Sequence, residues 1–106
     1  MNYTENFEGI KIDVQAVDVP VGVTLQNEIR ALISRLKKHA RKIDFVDVYL
    51  THKEGKSTES KKVGIRFGIP GNDPYASEQG EDWMKLMKNV EEKLRKQLVK
   101  IKEMQH

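Results

Sequence analysis

Ile10, Ile12, Val14 and Ala16 alternate with Lys11, Asp13 and Gln15, the period-two pattern of a strand with one buried face, and predict a first strand over 10–17. Past Pro20 the period lengthens. Leu25, Ile29, Leu32, Ile33, Leu36 and Ala40 share one face at 3.6 residues per turn, which predicts a helix capped by Thr24 and running to about Arg41. The stretch 43–52, IDFVDVYLTH, is β-branched and aromatic, so it predicts a second strand. Its inward set of Ile43, Phe45, Val48 and Leu50 slips in phase, for which a bulge is the expected cause. A polar loop over 53–60 leads to a third strand with Val63, Ile65, Phe67 and Ile69 on one face. The turn 70–74, PGNDP, precedes a short strand over 75–79. From Glu81 onward Trp83, Met87, Val90, Leu94, Gln97, Leu98 and Ile101 form a helical seam, with Glu81 and Asp82 at its positive end. The expected fold is therefore α+β with the order βαβββα: a four-stranded, mostly antiparallel sheet and two helices packed on one face.

A chain of 106 residues supports one domain with a core, here 1–106, and the sequence leaves open whether the acidic extension 1–9 is ordered. Apolar residues make up 38% and charged residues 33%, so the core must be economical and the surface densely ionised. The absence of cysteine removes disulfide frameworks, thiolate metal sites and cysteine nucleophiles, and it fits a reducing compartment. With neither a signal-like start nor an apolar run of membrane length, the expected location is the cytoplasm and no membrane partner is expected. His39, His52 and His106 lack ligand spacing, so no metal or other cofactor is expected. Asp44 and Asp47, three apart on a strand, face opposite ways, and no nucleophile stands beside a base. Trp83, Met84 and Met87 sit at helical spacing and read as core. An enzyme acting on a small-molecule substrate is the least expected reading.

Charge distribution is more informative than the net value of +3. Residues 1–20 hold four acids against Lys11, whereas 30–42 hold six cations and no acid, and 93–102 hold five cations and no acid. On a helical wheel Arg35, Lys38 and Lys42 share a flank of the first helix at i, i+3 and i+7. Lys93, Lys96 and Lys100 repeat that spacing at the same rotational offset on the last helix. If the helices run the same way, both rows tilt to one side and merge into a single basic field. Lysines on solvent faces are also ordinary helix formers and solubilisers. Two matching rows in a chain rich in acids point instead to phosphate contacts, read by shape and backbone. Arg30, Lys37, Arg41, Arg95 and Lys102 point elsewhere on the wheel and are auxiliary on this reading. Lys53, Lys56, Lys61 and Lys62 flank the hairpin loop and read as solubilising.

The segment 76–102, ASEQGEDWMKLMKNVEEKLRKQLVKIK, resembles the end of the ribosome hibernation-promoting factor family, also called ribosome-associated inhibitor A or sigma-54 modulation protein. Ala76 and Ser77, Gly80 and Asp82, Lys93–Leu94, Gln97–Leu98, Lys100 and Lys102 carry the pattern. The likeness continues through the first strand from Ile10, Thr24 and Leu25 at the helix start, Arg35 and Leu36, and Ile43 with the strand VDVYL. It implies a fold similar to double-stranded RNA-binding domains. It also implies a non-enzymatic stress and stationary-phase factor that sits on small-subunit 16S-type rRNA in the mRNA and tRNA channel and inhibits translation. The implied rRNA-facing residues are Arg35, Lys38, Lys93, Lys96 and Lys100. A further basic position of the family falls on Leu32, whose contact would pass to Lys42, and Lys96 stands where an Arg is usual, which loses bidentate geometry. The chain resembles short forms and is expected to be monomeric off the ribosome. Two other readings stand beside this one: a generic double-stranded RNA binder using the same face, and a protein-interaction module that regulates a transcription factor through its sheet.

Overall fold

The computed structural model describes residues 1–55 and 60–104; the middle of the loop at 53–60 lies outside them. The elements are β1 (Asn2–Phe7), β2 (Ile10–Val17), α1 (Val23–Leu36), β3 (Phe45–His52), β4 (Lys61–Gly68), β5 (Tyr75–Gly80) and α2 (Trp83–Met104), with a single 3₁₀ turn over Lys37–His39. The sheet runs β1-β2-β3-β4-β5. β2 and β3 pair in parallel across the α1 crossover, and the other three pairings are antiparallel.

The sheet thus has five strands and is mixed, not the four expected. The additional strand is the N-terminal extension. Tyr3, Glu5 and Phe7 alternate with exposed Asn2, Thr4 and Asn6, and Glu8 and Gly9 close the hairpin with φ of 52° and 82°. Two successive left-handed residues make the twist-matched turn of a two-residue hairpin. Glu at the first position is a weak sequence signal for it, and a strand with only two apolar residues gives little periodicity to read. Asn6 Oδ1 accepts from the Gly9 amide at 3.1 Å, which steadies the turn.

β2 and β4 occupy their expected spans and faces, whereas β3 corrects the expected phase. Its register against both neighbours is unbroken, so there is no bulge. Val46, Val48 and Leu50 point inward, and Phe45 points to the open face. Phe45 fits there because Gly68 lies opposite it: a Cβ on Gly68 would stand 2.1 Å from the ring. Gly64 likewise makes room for the Tyr75 hydroxyl.

α1 starts from Gly22, with no side-chain cap, so Thr24 does not perform that role. Gln26 Nε2 donates instead to the Val21 carbonyl at 2.8 Å. The helix ends at Leu36, earlier than its pattern suggests, and tightens into the 3₁₀ turn before Ala40 turns extended. α2 begins one residue after Asp82, whose Oδ1 accepts from the Met84 amide at 3.0 Å. Leu86, Met87, Val90, Leu94 and Leu98 are its buried face; Met87 and Val90 are fully enclosed, Trp83 packs half-buried, and Met84 is exposed. Gln97 leaves the seam for the edge of the sheet: its Nε2 donates to the Tyr75 carbonyl at 2.8 Å and its Oε1 accepts from the Tyr75 amide at 3.2 Å. A side-chain amide therefore fills the donor and acceptor that a further strand would pair with. Both helices cover one face of the sheet, with α1 tied to β1 and α2 packed on β4 and β5.

Candidate nucleic-acid interface

α1 and α2 run in the same direction. Val23 and Leu25 line one depression with Trp83 and Met84, Arg35 meets Glu91, and His39 lies by Leu98 and Lys102. The sequence-predicted cations can be placed on this frame. Arg35 stands in the groove between the helices, with Nε and Nη2 donating to both oxygens of Glu91 at 2.8 and 2.7 Å. Nη2 also donates to Glu28 at 2.8 Å. Hydrogen bonding to Glu91, with Glu28 adding to it, holds the guanidinium charged well above the ordinary arginine range. Its charge is thus spent within the molecule, on two carboxylates.

Lys93 lies on the opposite side of α2. Its Nζ bonds Glu78 of β5 and approaches the Ser77 carbonyl at 3.5 Å. Arg35 and Lys93 therefore lie on different sides of α2, although the helices are parallel as expected, and Lys38 and Lys42 fall beyond the end of α1, so the first row does not continue as a helical stripe. Lys38, Lys96 and Lys100 are exposed and make no ion pair among the described residues. Lys42 is 72% exposed and lies 3.4 Å from Asp44.

The structure gathers cations at the C-terminal ends of the two helices. Lys38, Arg41 and Lys42 follow α1, and Arg95, Lys96, Lys100 and Lys102 occupy the last turns of α2. Lys38, Arg95 and Lys102 all act on His39: burial lowers its pKa first, and these three charges lower it further. Cations suit this end because aligned peptide dipoles leave partial negative charge on the last carbonyls. Sequence reasoning set Arg41, Arg95 and Lys102 aside because it measured rotation about each helix separately. The signal was the shared end, which becomes visible once the helices are parallel.

Arg30 of α1 and Lys37 of the 3₁₀ turn are paired with acids of the N-terminal hairpin. Arg30 donates to both Glu5 oxygens at 2.7 and 2.8 Å, and Lys37 reaches Glu8 at 3.2 Å. Lys61 donates to the Glu81 carbonyl and lies 5.8 Å from the centroid of the Trp83 ring. Among the described residues no three His, Cys, Asp or Glu side chains group as metal ligands. Among the described residues no helix is long and apolar enough to cross a membrane. Asp13 and Asp47 are register partners on the open sheet face, and burial followed by Asp13 raises the pKa of Asp47.

Residues 12–106 match the family model described as sigma 54 modulation protein / S30EA ribosomal protein, so β1 and its turn lie outside the match. No curated protein sequence matches the chain. The N-terminal domain of Protein Y from Thermus thermophilus shares the fold with a TM-score of 0.72 at 13% identity, over 83% of this chain and 93% of that one. A ribosomal subunit interface protein from Coxiella burnetii does so with a TM-score of 0.65 at 20% identity, over 86% of this chain and 96% of that one.

Proposed function

The chain belongs to the sigma 54 modulation protein / S30EA ribosomal protein family, one of ribosome hibernation and subunit-interface factors and not of enzymes, and from that membership we propose that it docks on small-subunit rRNA. The docking place is the channel used by mRNA and tRNA, and the consequence is an idle ribosome held out of translation. Occupancy is the whole mechanism. The observation that carries this reading is the basic end of the helix pair, where cations of α2 and of the segment that follows α1 outnumber carboxylates. Phosphate contacts of this kind release condensed counterions and read backbone shape.

Within the site, Lys38, Lys42, Lys96 and Lys100 are the direct phosphate contacts, joined by Lys102. Lys93 contributes at the β5 edge once it leaves Glu78. Arg35 acts as a brace between α1 and α2. The chain works as a single ribosome-binding unit, monomeric away from the ribosome.

Reversing Lys38, Lys96 and Lys100 to Glu should abolish co-sedimentation with small subunits while circular dichroism stays unchanged; retained co-sedimentation by a folded variant sinks the reading. With about five phosphates engaged, log affinity should fall against log salt with a slope of roughly −3.5 to −4.5. Plain duplex RNA that competes as well as small subunits would return the chain to a generic duplex binder.

A further inference from the structure

We propose that a cleft at the basic end of the helix pair receives one unstacked nucleobase together with its phosphate. The idea rests on the RNA-docking reading above and deepens it from a charged field to a built subsite.

The cleft opens where three segments meet: the residues that follow α1, the turn after β4, and the last turns of α2. Its volume is about 230 Å³. The floor is apolar, made by buried Ile69 and Leu98 and half-buried Ala40 and Ile101, and exposed Pro70 also lines the cleft. The remaining lining is His39, Arg41, Lys42 and Lys102, with no carboxylate among them. Asp44 stands outside the lining and reaches only Lys42, at 3.4 Å.

A site for phosphate alone needs convergent donors and gains nothing from an apolar floor. A site for an acyl chain or a drug-sized ligand needs more room, since such pockets hold about 300 Å³ or more. One flat ring system carrying a pendant anion uses both parts of this cleft: the floor takes the ring and the rim takes the phosphate. Arg41 adds a planar cation of the sort that stacks on unpaired bases. His39 is a built-in reporter. Its proton is disfavoured by burial and by Lys38, Arg95 and Lys102, so an anion brought among those charges and Arg41 and Lys42 raises its pKa.

The test is an amide-detected NMR titration of the full chain with adenosine 5′-monophosphate, ribose 5-phosphate and a short single-stranded oligoadenylate. Saturable shifts at His39, Ala40, Ile69 and Ile101 are expected with the mononucleotide, with ribose 5-phosphate at least about tenfold weaker. Tighter binding of the oligonucleotide at the same amides assigns the base to an RNA strand; equal or weaker binding assigns the cleft to a free nucleotide. Equal binding by ribose 5-phosphate, or no saturable shift up to about 10 mM, overturns the proposal. No ribosome is present in this titration. A failure here therefore leaves the co-sedimentation result standing, and a failure of co-sedimentation leaves this result standing.

Discussion

Arg35 shows how a residue legible as a phosphate ligand can be committed elsewhere. Its spacing, charge and family position all pointed outward, yet Glu28 and Glu91 occupy its donors. Glu91 lies 56 positions away in sequence, so no periodicity within α1 could reveal it. Arg35→Gln should cost about 0.5–1 kcal/mol in urea unfolding, as exposed networks do. It should leave the salt slope of ribosome binding unchanged, whereas Lys96→Gln should make that slope shallower by about 0.7–0.9. His39 supplies a second expectation. Its folded pKa lies below the ordinary 6.5, so the unfolded chain takes up the proton first as pH falls. Stability is therefore lost from about pH 6.5 down to the folded value and levels off below it. His39→Gln should remove that part of the pH dependence in thermal melts.

Among the elements, β2, β4 and α2 were readable because a single buried face imposed one period on each of them. β3 was misread because Phe45 is apolar yet outward, and what permits that is Gly68 on the neighbouring strand, a non-local fact. The two glycines should differ in sensitivity. A Cβ on Gly68 meets Phe45 ring atoms at 2.1–2.4 Å, so Gly68→Ala must displace a whole ring and should cost about 1–3 kcal/mol. A Cβ on Gly64 meets chiefly the Tyr75 hydroxyl at 2.5 Å, the far end of a half-exposed side chain that can swing away. Gly64→Ala should therefore cost less, and paired denaturant melts decide the order. β1 was missed as a strand for a different reason: its stability comes from pairing with β2 and from Arg30 on Glu5, not from its own pattern.

At the scale of the whole molecule the sequence held the α+β class and the parallel helices, but not the fifth strand. It placed the charge on 30–42 and 93–102 but not at one shared end, because that depends on which helix ends share a side. The acidic hairpin belongs to the same account. Glu5 and Glu8 cancel Arg30 and Lys37, which confines the positive field to one end. Replacing both acids with Gln should strengthen binding to unrelated duplex RNA more than to small subunits, measured by filter binding at matched salt. An equal gain on both would show that the hairpin does not confine the field.

The shared direction of α1 and α2 also governs how the molecule arrives. α2 alone spans roughly 33 Å at 1.5 Å per residue, about four screening lengths at physiological salt. Glu81 and Asp82, just ahead of its start, and its cationic finish at Lys100 and Lys102 are thus sensed separately by an approaching polyanion. A body charged this way experiences torque before contact and turns its cationic end forward, so the angular part of the diffusional search is shortened. Added salt should consequently slow capture far more than it hastens release.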